Sequence, residues 1–148
     1  MKWLFILMMV GSQLFALDPL TIMKKCETQE IKDGNPKVCI EAAKLYEKQK
    51  HLTVDEKYNL GAAYYNAGVI YMFGKRHTNY SKAARMFQNA IDVGFCFDGN
   101  CGAKQDLGLL YFYGLGVAEN KVKGCNLMKN AMEHNVDKAK QAYQKFCE

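Results

Sequence analysis

The sequence is poor in helix-breaking residues and in the residues that hydrolytic enzymes use. It contains two prolines and one tryptophan in 148 residues, and no long stretch alternates apolar and polar side chains as a half-buried strand would. After residue 16 it holds a single serine, Ser81, and three histidines, His51, His77 and His134. No Gly-x-Ser-x-Gly, Ser-x-x-Lys or His-Glu-x-x-His pattern occurs. We therefore predict an all-α protein in which the sequence identifies no catalytic residue and no cofactor.

Concentrated positive charge is also missing. Arg76 and Arg85 are the only arginines, and the lysines are scattered along a chain whose formal net charge is +5. Scattered lysines are typical of solvated helix faces, whereas nucleic-acid binding uses a basic patch or stripe. The charge pattern therefore predicts no nucleic-acid partner.

The first residues differ in character from the rest of the chain. Lys2 is followed by an apolar run over residues 3–10 and by small residues that end at Ala16. This order is typical of a cleaved secretory signal, and the run is shorter than the about 20 apolar residues that cross a bilayer. We predict a signal peptide at residues 1–16 and an exported domain at residues 17–148, periplasmic or secreted, with no transmembrane segment.

Two stretches of the remaining chain share a spacing of glycine and tyrosine. In the second stretch Gly108 allows a neighbouring helix to approach closely, and Gly114 and Gly116 end the helix that carries it. Residues of the same type occur about 40 positions earlier: Gly68, Tyr71 and Gly74 match Gly108, Tyr111 and Gly114 at an offset of 40, and Asn79, Lys82 and Ala90 match Asn120, Lys123 and Ala131 at 41. A repeat of this length indicates a helical-hairpin array.

These residues resemble the Sel1-like repeat, a relative of the tetratricopeptide repeat. Its pattern runs Leu-Gly-x-x-Tyr-x-x-Gly-x-Gly-Val, then Asp or Asn, then Lys-Ala. The first copy has Ala67 in place of the leucine, and the second has Gly124 in place of the alanine after Lys123. The resemblance implies a short right-handed αα-hairpin solenoid. Its parts would be a degenerate hairpin at residues 19–50, repeats at residues 53–95 and 102–133, and a capping helix at residues 137–147.

All six cysteines follow the predicted signal, and an even number in an exported chain indicates disulfides. Six cysteines allow 15 pairings. If partners lie about equally far on either side of a helix–helix turn, the pairs are Cys26 with Cys39, Cys96 with Cys101, and Cys125 with Cys147. A metal site is the weaker interpretation, because the Cys96-x4-Cys101 spacing has no second close cysteine or histidine pair. We predict three disulfides and no metal ligand.

Exported, cysteine-bearing Sel1-like arrays are similar to the Helicobacter cysteine-rich protein family. Members of that family are classed as penicillin-binding proteins with weak β-lactamase activity, and a cysteine pair spans the two helices of each repeat. In this sequence Ile91 and Lys104 stand where that pair is expected. The resemblance implies, as an alternative function, a weak β-lactamase that takes a β-lactam or a peptidoglycan-derived ligand, and no catalytic residue is carried over.

The first helix of each repeat also offers a binding face. Positions 62, 65, 69 and 72, and their equivalents 102, 105, 109 and 112, follow helical spacing on the face that lines the inner curve of a tetratricopeptide-like array. Packing between repeats is the other interpretation, above all for Val69 and Leu109. Because aromatic and methionine side chains are enriched at binding surfaces, we predict that a protein or peptide partner contacts the following residues: Tyr65, Met72, Gln105, Leu109 and Phe112.

Overall fold

The structure is a computed structural model that describes residues 18–96, 101–134 and 137–148. These residues form seven α-helices and no strand, as the all-α prediction requires. The helices are α1 (Pro19–Glu27), α2 (Pro36–Glu47), α3 (Val54–Phe73), α4 (Tyr80–Asp92), α5 (Gly102–Tyr113), α6 (Lys121–Glu133) and α7 (Asp137–Cys147). The predicted signal at residues 1–16 lies outside the described residues.

Local hydrogen bonds define where the helices begin. Thr53 and Glu56 form a capping box at the start of α3, in which the Thr53 backbone N–H donates to the Glu56 carboxylate at 2.8 Å. Asn79 and Asn120 cap α4 and α6, and each side chain accepts a bond from the backbone N–H three residues later at 2.9 Å. These boundaries are therefore encoded by residues within one turn of each helix.

Each helix packs against the helix before it and the helix after it in sequence. Helices α1 and α3 also touch, as do α5 and α7, so the chain advances as a row of neighbouring helices. The main core runs through most of this row and contains the fully buried side chains of Met23, Ile70, Phe87 and Leu107. Among the described residues, no helix is both long and apolar enough to cross a membrane.

The two matching stretches of sequence make the same backbone contacts. The Asn79 N–H donates to the carbonyl of Tyr71 at 2.8 Å, and the Asn120 N–H donates to the carbonyl of Tyr111 at 2.8 Å. A lysine ammonium lies over each of these tyrosine rings, at 5.5 Å from the centroid for Tyr71 and 3.9 Å for Tyr111. The residues aligned by the sequence repeat thus occupy equivalent positions in α3–α4 and α5–α6.

Glycines set the distance between the helices of each matching pair. A Cβ at Gly68 would lie 2.6 Å from the Phe87 ring, which fills the space that this glycine leaves. In the second pair, a Cβ at Gly108 would lie 2.8 Å from the carbonyl oxygen of Gly124, and a Cβ at Gly124 would lie 2.6 Å from the carbonyl oxygen of Gly108. Gly124 stands where the Sel1-like pattern has alanine, and a side chain there would collide with the backbone of α5.

The structure pairs the six cysteines as the hairpin arrangement predicts. Cys26–Cys39 joins α1 to α2, Cys125–Cys147 joins α6 to α7, and Cys96–Cys101 closes the connection between α4 and α5. No free cysteine remains. Three disulfides in a chain of this size are typical of an oxidising, exported environment.

We expect the Cys125→Ala/Cys147→Ala double variant to lose more stability than the Cys96→Ala/Cys101→Ala double variant. The sequence separations of the two pairs are 22 and 5 residues. By the chain-entropy relation these loops correspond to about 3 and about 2 kcal/mol, and only the longer one ties down α7. Urea unfolding of the two variants beside the wild type measures the difference. A smaller loss for the Cys125/Cys147 variant would contradict this role.

We also expect Gly108→Ala to destabilise the protein by about 1–3 kcal/mol, because the added methyl group meets a backbone carbonyl rather than a flexible side chain. Asn126→Ala, at an exposed position on the same helix pair, is the matched control and should stay within about 0.5 kcal/mol of the wild type. Thermal or urea unfolding provides both values. Equal stabilities for Gly108→Ala and the wild type would show that α5 and α6 do not meet at this glycine.

Candidate functional site

The candidate site is a hollow of about 410 Å³ between α3 and α5, which we call the α3–α5 groove. Helix α3 presents one face to it through residues spaced four apart, and α5 presents the facing side. The loop after α1 and the first turn of α7 close its ends. The groove is lined by Ile31, Tyr65, Val69, Phe73, Gly102, Gln105, Asp106, Leu109 and Lys138.

A second hollow adjoins the groove along α3. It has a volume of about 320 Å³, shares Ile31, Tyr65 and Val69 with the groove, and continues past Asn66 to Cys26. The loop that carries Ile31 is held against the end of α3, because the Lys75 N–H donates to the carbonyl of Lys32 at 3.0 Å. The two hollows together form a depression along α3 that reaches from α1 to α7.

Asp106 gives the groove its chemical character. Its side chain is 7% exposed, and it is the one buried charged residue among those described. The Tyr65 hydroxyl donates a hydrogen bond to its carboxylate, and the Gln105 amide lies 3.5 Å from one carboxylate oxygen. Burial raises the pKa of Asp106 to about 6, although the Tyr65 hydrogen bond and the Lys138 charge act in the opposite direction.

Packing fixes the position of Tyr65 opposite this carboxylate. Its ring centroid lies 5.9 Å from that of Phe87 and 5.7 Å from that of Phe95. A Cβ at Gly102 would come within 2.7 Å of the Tyr65 hydroxyl, so the missing side chain there makes room for the phenol. Burial, and then the negative charge of Asp106, raise the pKa of Tyr65, which therefore stays protonated and donates its proton to the hydrogen bond.

The structure brings together three of the residues that the sequence predicts for binding. Tyr65, Gln105 and Leu109 all line the α3–α5 groove. Met72 is 9% exposed and belongs to the main core, so it is not part of the groove. Phe112 packs instead against α7, with its ring centroid 5.5 Å from that of Phe146, and lines a separate open hollow. The difference arises because α7 covers this end of α5.

Sequence reasoning missed four residues of the groove. Phe73 lies eight residues after Tyr65 on the same face of α3, and the spacing of 65, 69 and 73 is helical, as is that of 62, 65, 69 and 72. The sequence also indicates that Asp106 is unusual, because its carboxylate lies inside the apolar segment that contains Leu107 and Leu110. No sequence pattern indicates Ile31 or Lys138, because the loop after α1 and helix α7 bring them to the groove.

The serine and the cysteines of the described residues lie outside the α3–α5 groove. The Ser81 hydroxyl, at the start of α4, donates to the carbonyl of Gly116 at 2.9 Å and so links the two matching helix pairs. All six cysteines form disulfides. The residues that line the α3–α5 groove include no serine, cysteine or histidine. The groove combines an apolar wall with the buried carboxylate of Asp106.

One cluster among the described residues has the composition of a metal site. It consists of Cys96, Cys101 and His134, whose ligand atoms lie within 4.8 Å of one another. Sequence spacing does not bring His134 to the two cysteines, because the whole of α5 and α6 lies between them. In the disulfide state the two sulfurs are bonded to each other and offer no thiolate.

Comparison with known proteins identifies no relative of this chain. No protein-family model, no curated protein and no solved structure matches it. The contacts of its own residues therefore carry the functional inference.

We expect the stability of the protein to fall as the pH rises from 4 to 8 in a way that depends on Asp106. The pKa of this carboxyl is raised from 3.8 to about 6 in the folded state, so its stabilising effect is full below pH 4 and is lost as the pH rises through about 6. The shift corresponds to about 3 kcal/mol. Asp106→Asn, which does not titrate, is the matched control.

The measurement is the free energy of urea unfolding for both proteins across that pH range. The wild-type value relative to that of Asp106→Asn should decline by about 3 kcal/mol. In Tyr65→Phe the carboxylate loses its donor, so its pKa should rise further and the decline should reach a higher pH. A difference between wild type and Asp106→Asn that does not change with pH would place Asp106 in solvent.

Proposed function

We propose that this protein is an exported helical scaffold that binds an extended peptide segment of a protein partner in the α3–α5 groove. In this proposal the chain is a short right-handed αα-hairpin solenoid of Sel1-like repeats, stapled by disulfides and closed by α7. The observation that carries the function is the groove itself: an apolar wall beside a buried carboxylate, with Tyr65 held in place at its centre.

Two observations support the solenoid. Equivalent residues of α3–α4 and α5–α6 make the same capping and backbone bonds, which is the behaviour of structural repeats. Each helix also contacts mainly its neighbours in sequence. In such an array the first helices of successive hairpins line the inner surface, and α3 and α5 are the helices that line the groove.

The lining of the groove indicates the chemistry of the occupant. Ile31, Val69 and Leu109 form an apolar wall, and Phe73 at its rim is 54% exposed. An exposed aromatic ring next to a partly buried apolar surface is typical of a binding site. The wall suits one apolar side chain of a peptide, and the adjoining hollow along α3 suits its next residues.

Asp106 supplies the polar part of recognition. A carboxylate has about four lone-pair positions, and Tyr65 and Gln105 use two of them. The remaining positions favour a partner that brings N–H groups, either from its backbone or from a basic side chain. An extended peptide offers both an apolar side chain and adjacent backbone donors, which is the combination that the groove presents.

The exported location and the binding-only role rest on separate observations. The three disulfides and the signal-like residues 1–16 support export to the cell envelope or beyond.

The alternative function is the weak β-lactamase activity that the cysteine-rich family implies. It has less support, because the groove presents no serine for acylation and Ser81 is engaged with Gly116.

We expect selection from a random peptide library on the exported chain, residues 17–148, to enrich peptides with one apolar residue beside backbone or basic N–H donors. Phe73→Ala should weaken their binding at least tenfold, which is about 1.4 kcal/mol, because it removes the exposed ring at the rim. Tyr80→Ala removes another exposed aromatic side chain, outside the groove, and is the matched control. Calorimetric titration of the selected peptides provides the affinities.

Two outcomes would contradict the proposal. The first is equal binding of the selected peptides by Phe73→Ala and the wild type. The second is turnover of a chromogenic β-lactam by the folded protein, well above a heat-unfolded control and blocked by penicillin, which would favour the enzyme.

A further inference from the structure

A small second core, separate from the groove, surrounds the Cys96–Cys101 disulfide. Cys101, Ala131 and Ala139 are fully buried in it, and Cys96 and Met132 pack against them. The core joins the start of α5, the end of α6 and α7, and none of its residues lines the α3–α5 groove. His134, at the C-terminal end of α6, is exposed beside it.

The two sulfurs and one ring nitrogen of His134 lie within 4.8 Å of one another. The Nδ1 atom of His134 is 2.8 Å from the carbonyl oxygen of Asn130. Because a carbonyl oxygen only accepts, Nδ1 carries the proton of the neutral ring and Nε2 keeps a free lone pair. A histidine whose second nitrogen donates to a backbone carbonyl is the usual arrangement of a metal ligand in proteins.

Cys101 lies at the N-terminal end of a helix. It is the N-cap residue of α5, a helix of 12 residues, and no side chain caps this helix end. Unpaired backbone N–H groups and the helix dipole stabilise a negatively charged group at such a position. The thiolate is the form that binds metal.

We propose that Cys96, Cys101 and His134 form a binding site for Cu(I) when a dithiol reductant opens the Cys96–Cys101 disulfide. In the first step the reductant's two thiols become its own disulfide, and Cys96 and Cys101 receive the two hydrogens as thiols. In the second step Cu(I) binds both sulfurs and the imidazole, and the two thiol protons are released to solvent. The copper does not change oxidation state.

The donor set decides the kind of ion. Two thiolates and one imidazole are soft to intermediate ligands, and Met132 packs against the small core that contains Cys101. Thiolate ligands select Cu(I) and Zn²⁺ over the hard cations, which take oxygen ligands. A structural Zn²⁺ site takes four ligands, whereas Cu(I) is satisfied by the three donors of this cluster. The exposed ring of His134 gives the ion a route to the buried sulfur of Cys101.

Opening this disulfide should reduce the stability of the fold less than opening either of the other two. It closes a separation of 5 residues, against 13 and 22 for the other two, so its loss releases the least chain entropy. The helices on either side of this disulfide, α4 and α5, also pack directly against each other. Their contact therefore does not depend on the disulfide alone. A bound ion would replace the cross-link by a bridge from the α4–α5 connection to the end of α6.

The test is a Cu(I) titration of the exported chain in competition with a chromogenic Cu(I) chelator, under a phosphine reductant and without oxygen. We expect one tight equivalent of Cu(I) for the wild type. The Cys96→Ala/Cys101→Ala variant should lose that equivalent, and His134→Gln should bind it at least tenfold more weakly. Cys26→Ala/Cys39→Ala and His77→Gln, which change the same residue types away from the cluster, are the matched controls and should retain it.

A second measurement separates ligation from folding. The ¹⁵N shift of the His134 ring should change on addition of one equivalent of Cu(I), and that of His77 should not. If full reduction unfolds the protein, the titration is repeated on the species with two free thiols, identified by alkylation and mass. Equal Cu(I) affinity of His134→Gln and the wild type, an unchanged His134 ring, or free thiols at cysteines other than Cys96 and Cys101 in that species would overturn the proposal.

Discussion

The close approach of paired helices is the constraint on which the rest of this structure depends. At Gly108 and Gly124 the two backbones meet with no side chain between them, and at Gly68 the ring of Phe87 takes the place that a Cβ would occupy. A third glycine, Gly116, has a φ of +69° and lies so close to Ser81 that a Cβ would overlap its backbone. These contacts fix each helix pair and then dock one pair on the next. The distance between α3 and α5, and with it the width of the groove, follows from them.

The groove combines two features that destabilise the folded protein when no partner is bound. A buried carboxylate with a raised pKa destabilises the folded state at neutral pH, and an exposed phenylalanine leaves apolar surface in water. Both lie within one hollow, beside the Tyr65 phenol that packing holds in place. Unfavourable features that coincide at one position are expected at functional sites, since a partner supplies the missing contacts there. This coincidence distinguishes the α3–α5 groove from the open hollow at Phe112.

The three disulfides lie at different places along the row of helices. Cys26–Cys39 joins the first two described helices, and Cys125–Cys147 joins the last two. Cys96–Cys101 lies in the middle, next to an exposed histidine and in a small core of its own. The first and last disulfides therefore hold consecutive helices together, whereas the surroundings of the central disulfide also suit metal binding.

The sequence by itself determined the features that depend on neighbours within a turn or two: the all-α class, the caps at Thr53, Asn79 and Asn120, the repeat and the pairing of cysteines across hairpin turns. Only the tertiary structure decided which side chains meet. Helical spacing places Phe112 on the same face as Leu109, yet α7 covers one and leaves the other in the groove. Asp106 with Lys138, and Cys101 with His134, are separated by more than 30 residues. These contacts depend on how whole helices are positioned relative to one another. Packing determines those positions, and they cannot be read from spacing in the sequence.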